Sequence, residues 1–161
     1  MDSLSDPGRL FDDDRVDWRK RTHAVDAATF DETREHVDSH AVVGIIDADG
    51  RVLCHDDGSH GWTLPAMTVA DDGDWAATAR RDLGELLDAT LALGFPERVG
   101  HVAVTVDDPE DARRSDAFDV VFSARTDDDL QVADDPALAW FDAVPPDQDG
   151  APADDVRLFL D

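Results

Sequence analysis

Cysteine, lysine and long apolar runs are almost missing from this chain. Cys54 is its only cysteine, which excludes an internal disulfide and fits a reducing compartment. No apolar run approaches the ~20 residues of a membrane-spanning helix, and the acidic opening MDSLSDPGRLFDDD is the reverse of a basic signal-peptide start. The expectation is therefore a soluble, cytoplasmic protein. Bases are scarce too: Lys20 is the single lysine, and 14 basic residues stand against 39 acids. That supply makes no basic stripe along which a phosphate backbone could run, which argues against DNA or RNA as a partner. A small phosphorylated metabolite stays open, provided a divalent cation bridges the like charges.

What the chain has in excess is aspartate. Its 161 residues carry a formal net charge of −25, and only five of the acids are Glu. The acids are spread between apolar runs along the whole length, so they read as a surface rather than a disordered tail. This resembles the composition of haloarchaeal proteins. In salt near 1 M the screening length falls to about 3 Å, which removes most of the self-repulsion and makes folding salt-dependent. A hydrophobic content of 42% suffices for one core in a chain of this length.

Residues 1–17 read as a flexible acidic tail and residues 18–40 as a strand and helix extension, with the main domain over 41–161. The extension holds a strand from Trp18 to Val25, placed at a sheet edge by its RKR run, and a short helix capped at Thr29 with Glu32 three residues on, reaching roughly Val37. In the domain, AVVGIID from Ala41 and RVLCHDD form a hairpin through the Asp47–Gly50 turn. A short Trp62–Pro65 strand leads through the Asp71, Asp72, Gly73 and Asp74 loop into a helix. Ala79, Leu83, Leu86 and Leu87 give that helix an apolar stripe, Asp74 caps it, and Arg81, Asp82 and Glu85 share an adjoining face. Strands at Val99–Val106 and Ala117–Ala124 follow, then Leu138–Asp142 and a helix over Pro152–Leu160. The order predicts α/β or α+β architecture with a mixed sheet.

The segment WTLPAMTVADDGDWAATARRDLGELLDA, from Trp62 to Ala89, resembles the Nudix box, G-x5-E-x7-R-E-U-x-E-E-x-G-U, which follows a W-x-L-P-G-G strand end. Trp62, Leu64, Pro65, Arg81, Leu83 and Glu85 match, and Asp82 supplies an acid. Ala66 and Met67 replace the glycines, Gly73 and Leu86 replace glutamates, and Asp88 and Ala89 close the segment. The resemblance implies a Nudix-like α/β/α sandwich with a mixed β-sheet. It also implies Mg- or Mn-dependent hydrolysis of a nucleoside diphosphate linked to another group. Asp82 and Glu85 would hold the metal, Arg81 would order the site, and a metal-bound water would attack. Asp72, Asp74, Asp88, Asp107, Asp108, Glu110 and Asp119 are possible substitutes for the missing ligands.

Other readings compete. Arg81, Asp82 and Glu85 also suit a plain exposed helix face with an Arg81–Glu85 pair. The lost positions suit a Nudix-fold module that binds a nucleotide-like metabolite or a protein partner without hydrolysis. Cys54, His55 and His60 fit no standard zinc spacing, and Ser59 with Asp57 and His60 lacks a nucleophile-elbow pattern. Trp62 and Trp140 read as packing residues.

Overall fold

The computed structural model describes residues 1–33, 38–58, 61–127, 130, 132 and 135–160. The described residues form eight strands and three α-helices, in an α+β arrangement. In chain order these are β1 (Asp17–Val25), α1 (Ala27–Thr33), β2 (Ser39–Ile45), β3 (Val52–Asp56), β4 (Trp62–Thr63), β5 (Ala66–Val69), α2 (Trp75–Leu87), β6 (Ala92–Val106), β7 (Arg114–Arg125), β8 (Leu138–Phe141) and α3 (Gly150–Arg157). A mixed sheet runs β1-β6-β7-β2-β5, and an antiparallel sheet runs β4-β3-β8. Within the mixed sheet β1 lies parallel to β6 and β7 to β2, while the β6–β7 and β2–β5 pairs are antiparallel.

Alternation along the central strands sets what lies on each face. Ala41, Val43 and Ile45 of β2 and Val120, Phe122 and Ala124 of β7 enter the main core with Trp75, Ala76, Ala79, Leu83 and Leu87 of α2. Val42 and Val121 point the other way, into a second core with Val52, Cys54, Leu64, Val156 and Phe159. The larger sheet thus carries α2 on one face and α3 on the other, which is why Ala41–Ile45 is apolar without a break. Gly44 sits under the Phe159 ring, and a Cβ there would overlap it. A third, small core packs Phe30 of α1 on Val104 and Val106 of β6.

Several expectations need correction. The Asp47–Gly50 turn forms, with Gly50 N–H donating to Asp47 C=O at 3.1 Å and Gly50 at φ +80°. Its arms nevertheless do not make a hairpin. β2 joins the large sheet and β3 the small one, linked directly by one isolated bridge between Ile46 and Val52. Each arm finds its partner strands elsewhere, β2 beside β5 and β7 and β3 beside β4 and β8. Helix α1 starts before the Thr29 cap read from sequence, because Asp26 accepts from Thr29 N–H at 2.7 Å and caps it instead. The stretch up to Val37 lies outside the described residues. The expected Trp62–Pro65 strand is confined to Trp62–Thr63, and Ala66–Val69 adds an edge strand on β2, with Met67 and Val69 turned into the core.

Leu86 is 37% exposed and lies off the buried stripe. Trp75, Ala79, Leu83 and Leu87 are the buried row of α2, spaced four apart, and such a row precesses around the helix away from a residue three past Leu83. The opening 17 residues also differ from a flexible tail. Leu4, Leu10 and Val16 lie in the main core, and Trp75 N–H donates to Leu4 C=O at 2.8 Å.

Candidate functional site

Helix α2 begins at Asp74, whose carboxylate accepts from Ala77 N–H at 2.8 Å, from Leu4 N–H at 2.8 Å and from the Ser3 hydroxyl. Burial pushes the Asp74 pKa up, but these hydrogen bonds outweigh it and hold the group below its ordinary value. A carboxylate so occupied has little left for a metal. The helix ends at Asp88, which takes the left-handed conformation at φ 50° while Ala89 N–H donates to Gly84 C=O at 3.1 Å.

Between those ends, Arg80, Arg81, Gly84, Glu85, Asp88, Ala89, Thr90 and Leu91 line an open depression of about 650 Å³. Arg81 does not pair with Glu85. Its Nε donates to Asp82 Oδ1 at 2.7 Å and its Nη2 to Asp82 Oδ2 at 3.4 Å, which raises the arginine pKa, with the Glu85 charge adding less. Arg80 turns away and donates to the carbonyls of Met1 and Asp2 at 2.8 and 2.6 Å. Asp82 lies outside the lining, and Glu85 is exposed.

These residues are a poor fit for Mg²⁺ or Mn²⁺. Among the described residues no three His, Cys, Asp or Glu side chains group as metal ligands. The Asp82 carboxylate is already held on both oxygens by Arg81. Of the substitutes, Asp74 caps the helix, Asp108 accepts from Glu110 N–H at 2.9 Å in the β6–β7 turn, and Asp119 lies on the sheet face away from α2. Asp72, Asp107 and Glu110 line no part of the depression.

The opposite face of the sheet holds a more enclosed space. Two adjoining cavities, of about 540 and 280 Å³, lie between the sheet and α3 and share Asp119 and Asp155 in their walls. Strand register builds them. One row across all five strands reads Arg19, Gly100, Asp119, His40, Thr68. The next reads Asp17, Arg98, Val121, Val42, Ala66. Residues in one such row sit side by side on one face.

Arg98 is the buried anchor of this face, at 7% exposure. Its Nε donates to Asp17 Oδ2 at 3.0 Å and its Nη1 to Asp155 Oδ1 at 3.0 Å, while Nη2 makes no hydrogen bond among the described residues. Burial pushes the Asp155 pKa up despite Arg98, and the Asp119 charge adds to the rise. His40 Nδ1 lies 3.0 Å from Asp119 Oδ1, and that hydrogen bond raises the imidazole pKa. A cavity wall with perturbed carboxyl and imidazole groups is where binding and proton-handling chemistry concentrates.

Sequence reasoning singled out Asp119 but not His40, Arg98 or Asp155. The available signal was Arg98 itself, a lone cation inside an otherwise strand-like run. Cys54 is fully buried and its thiol is pushed up to about 12 by burial, which leaves no thiolate for a metal. Ser59 and His60 lie outside the described residues. Trp62 packs on Phe141 with ring centroids 5.4 Å apart, and Trp140 packs on the main core. No helix among the described residues is long and apolar enough to cross a membrane. No protein-family model matches the chain, and no curated protein matches it.

Proposed function

We propose that this chain is a Nudix-like module that binds a small nucleotide-like metabolite without metal-dependent hydrolysis, in a salt-rich cytoplasm. The observation that carries this reading is the contrast in side-chain commitment on α2. Its two family-matched acids are one exposed glutamate and one aspartate neutralised by its neighbouring arginine. Hydrolysis of a diphosphate needs charge neutralisation and a positioned water, and Glu85 and Asp88, the acids lining the α2 depression, group with no third metal ligand among the described residues. Binding needs only a shaped, partly apolar cavity with a few placed polar groups, and the sheet–α3 cavities provide one.

The second reading is a Mg- or Mn-dependent pyrophosphohydrolase using Asp82, Glu85 and Arg81. It is favoured by the i, i+3 spacing of Asp82 and Glu85 on one helix and by the depression beside them. Calorimetric titration of Mg²⁺ and of Mn²⁺ into the protein in molar potassium chloride, with wild type and Glu85→Gln side by side, separates the readings. The module reading expects no saturable binding that depends on Glu85. A saturable site abolished by Glu85→Gln, with phosphate release from a nucleoside diphosphate derivative, establishes the hydrolase instead.

A further inference from the structure

The large sheet ends on one side at β1, whose only hydrogen-bonded neighbour strand among the described residues is β6. That edge is long and straight: nine consecutive residues, Asp17 to Val25, pair with Arg98 to Val106 without a register shift. Seven of the nine are exposed. No proline, glycine or bulge interrupts the strand, so its outer row of backbone N–H and C=O groups is a continuous template for a further strand.

Successive residues of β1 point to opposite faces, which puts Lys20 on the α2 side, with Trp18, and Arg21 on the α3 side. Neither makes an ion pair or side-chain hydrogen bond among the described residues, in a chain of 39 acids. Register gives the reason: their β6 neighbours are His101 and Val102, so no carboxylate stands beside them across the sheet. The one lateral position left to a carboxylate is outside β1. Arg19 differs, because Asp17 at 3.1 Å and Asp154 at 3.7 Å already hold it.

A second copy of the chain does not suit this edge. Antiparallel pairing of two β1 strands about their midpoint sets Arg21 against Arg21, and like charges directly opposite are unfavourable. The other outer strands, β4, β5 and β8, carry no acid. We propose that β1 accepts an extended acidic segment of a different protein as a sixth strand, with two consecutive carboxylates of that segment beside Lys20 and Arg21. Consecutive side chains of a strand alternate in face, so an Asp-Asp step meets both cations at once. Main-chain hydrogen bonds supply the affinity, and charge selects the partner. Binding at this edge is independent of the metabolite-binding reading.

The test uses a fluorescein-labelled peptide, Thr-Val-Thr-Asp-Asp-Val-Thr-Val, at the lowest potassium chloride concentration that keeps the protein folded, because salt screens the charge contacts. One control peptide has Lys-Lys in place of Asp-Asp. A second has proline at both positions flanking the acids, which keeps the charge and disrupts strand pairing. Anisotropy measures affinity and hydrogen exchange locates the site, on wild type and on the double variant Lys20→Glu, Arg21→Glu, with thermal melts to check folding. The acidic peptide should bind wild type and slow amide exchange within Asp17–Val25. It should be favoured about tenfold over the lysine peptide, as two favourable cross-strand pairs become two unfavourable ones. The proline peptide should bind at least about tenfold more weakly than the acidic one. The double variant should reverse the charge preference, and the milder Lys20→Gln with Arg21→Gln should level it should charge reversal unfold the chain. Failure of the acidic peptide to bind folded wild type, equal binding of the proline peptide, protection confined to residues outside β1, or a preference unchanged in the folded variants each overturns the assignment.

Discussion

The two faces of the five-stranded sheet use the same residue types to opposite ends. On the α2 face charges are satisfied by neighbours: Arg81 by Asp82 next door, Asp74 by the backbone it caps, and Arg80 by the first two carbonyls of the chain. On the α3 face Arg98, Asp17 and Asp155 are brought together from positions 57 and 81 residues apart, and Arg21 makes no ion pair or side-chain hydrogen bond among the described residues. Pairing at the helix surface stabilises the helix and spends its charges. Pairing across strands builds walls, and walls leave groups facing a space.

The sharpest way to stress that comparison is on α2 itself, where the buried and outer sides differ most. Leu83 is fully buried and Leu86 is 37% exposed. Leu83→Ala should cost about 2–5 kcal/mol of stability through the cavity it leaves. Leu86→Ala should cost well under about 1 kcal/mol, because little apolar surface is returned to water. Chemical denaturation in molar salt measures both, and equal losses would mean that Leu86 belongs to the core stripe after all.

A smaller effect follows at Asp74. Asp74→Ala removes a helix cap together with its bonds to Ser3 and Leu4, and should cost about 1–2 kcal/mol. The sign with pH is fixed by the direction of the shift. A carboxyl held below its ordinary value stabilises the fold above its unfolded pKa, and that contribution is lost as pH falls through the folded pKa. The difference between wild type and Asp74→Ala, followed by thermal melting, should therefore shrink towards acid. A gap that stays constant down to pH 2 would show that the carboxylate form is not what holds the helix start.

The two faces also differ in how much of them the sequence made legible. Helix α2, its Asp74 cap and its Leu83 stripe come from spacings of three and four within one segment, and local periodicity is sufficient for that. The strands were legible as apolar runs for the same reason. Their partners were not. The Asp47–Gly50 turn forms as read, yet its two arms part into different sheets and pair with strands far along the chain, β2 with β7 and β3 with β8. The α3 face shows the same limit more strongly. Arg19, Gly100, Asp119, His40 and Thr68 share one row only through four separate strand pairings, and no spacing within any one segment encodes it. Asp119 could be named in advance as one substitute ligand among several, but the face it occupies follows only from the pairing of β7 with β2 and β6.

The most direct measurement is calorimetric titration of Mg²⁺ in molar potassium chloride into wild type and Glu85→Gln in parallel. The expected result is no saturable binding that depends on Glu85. A saturable site that is lost in Glu85→Gln would place the function on α2 and contradict the account.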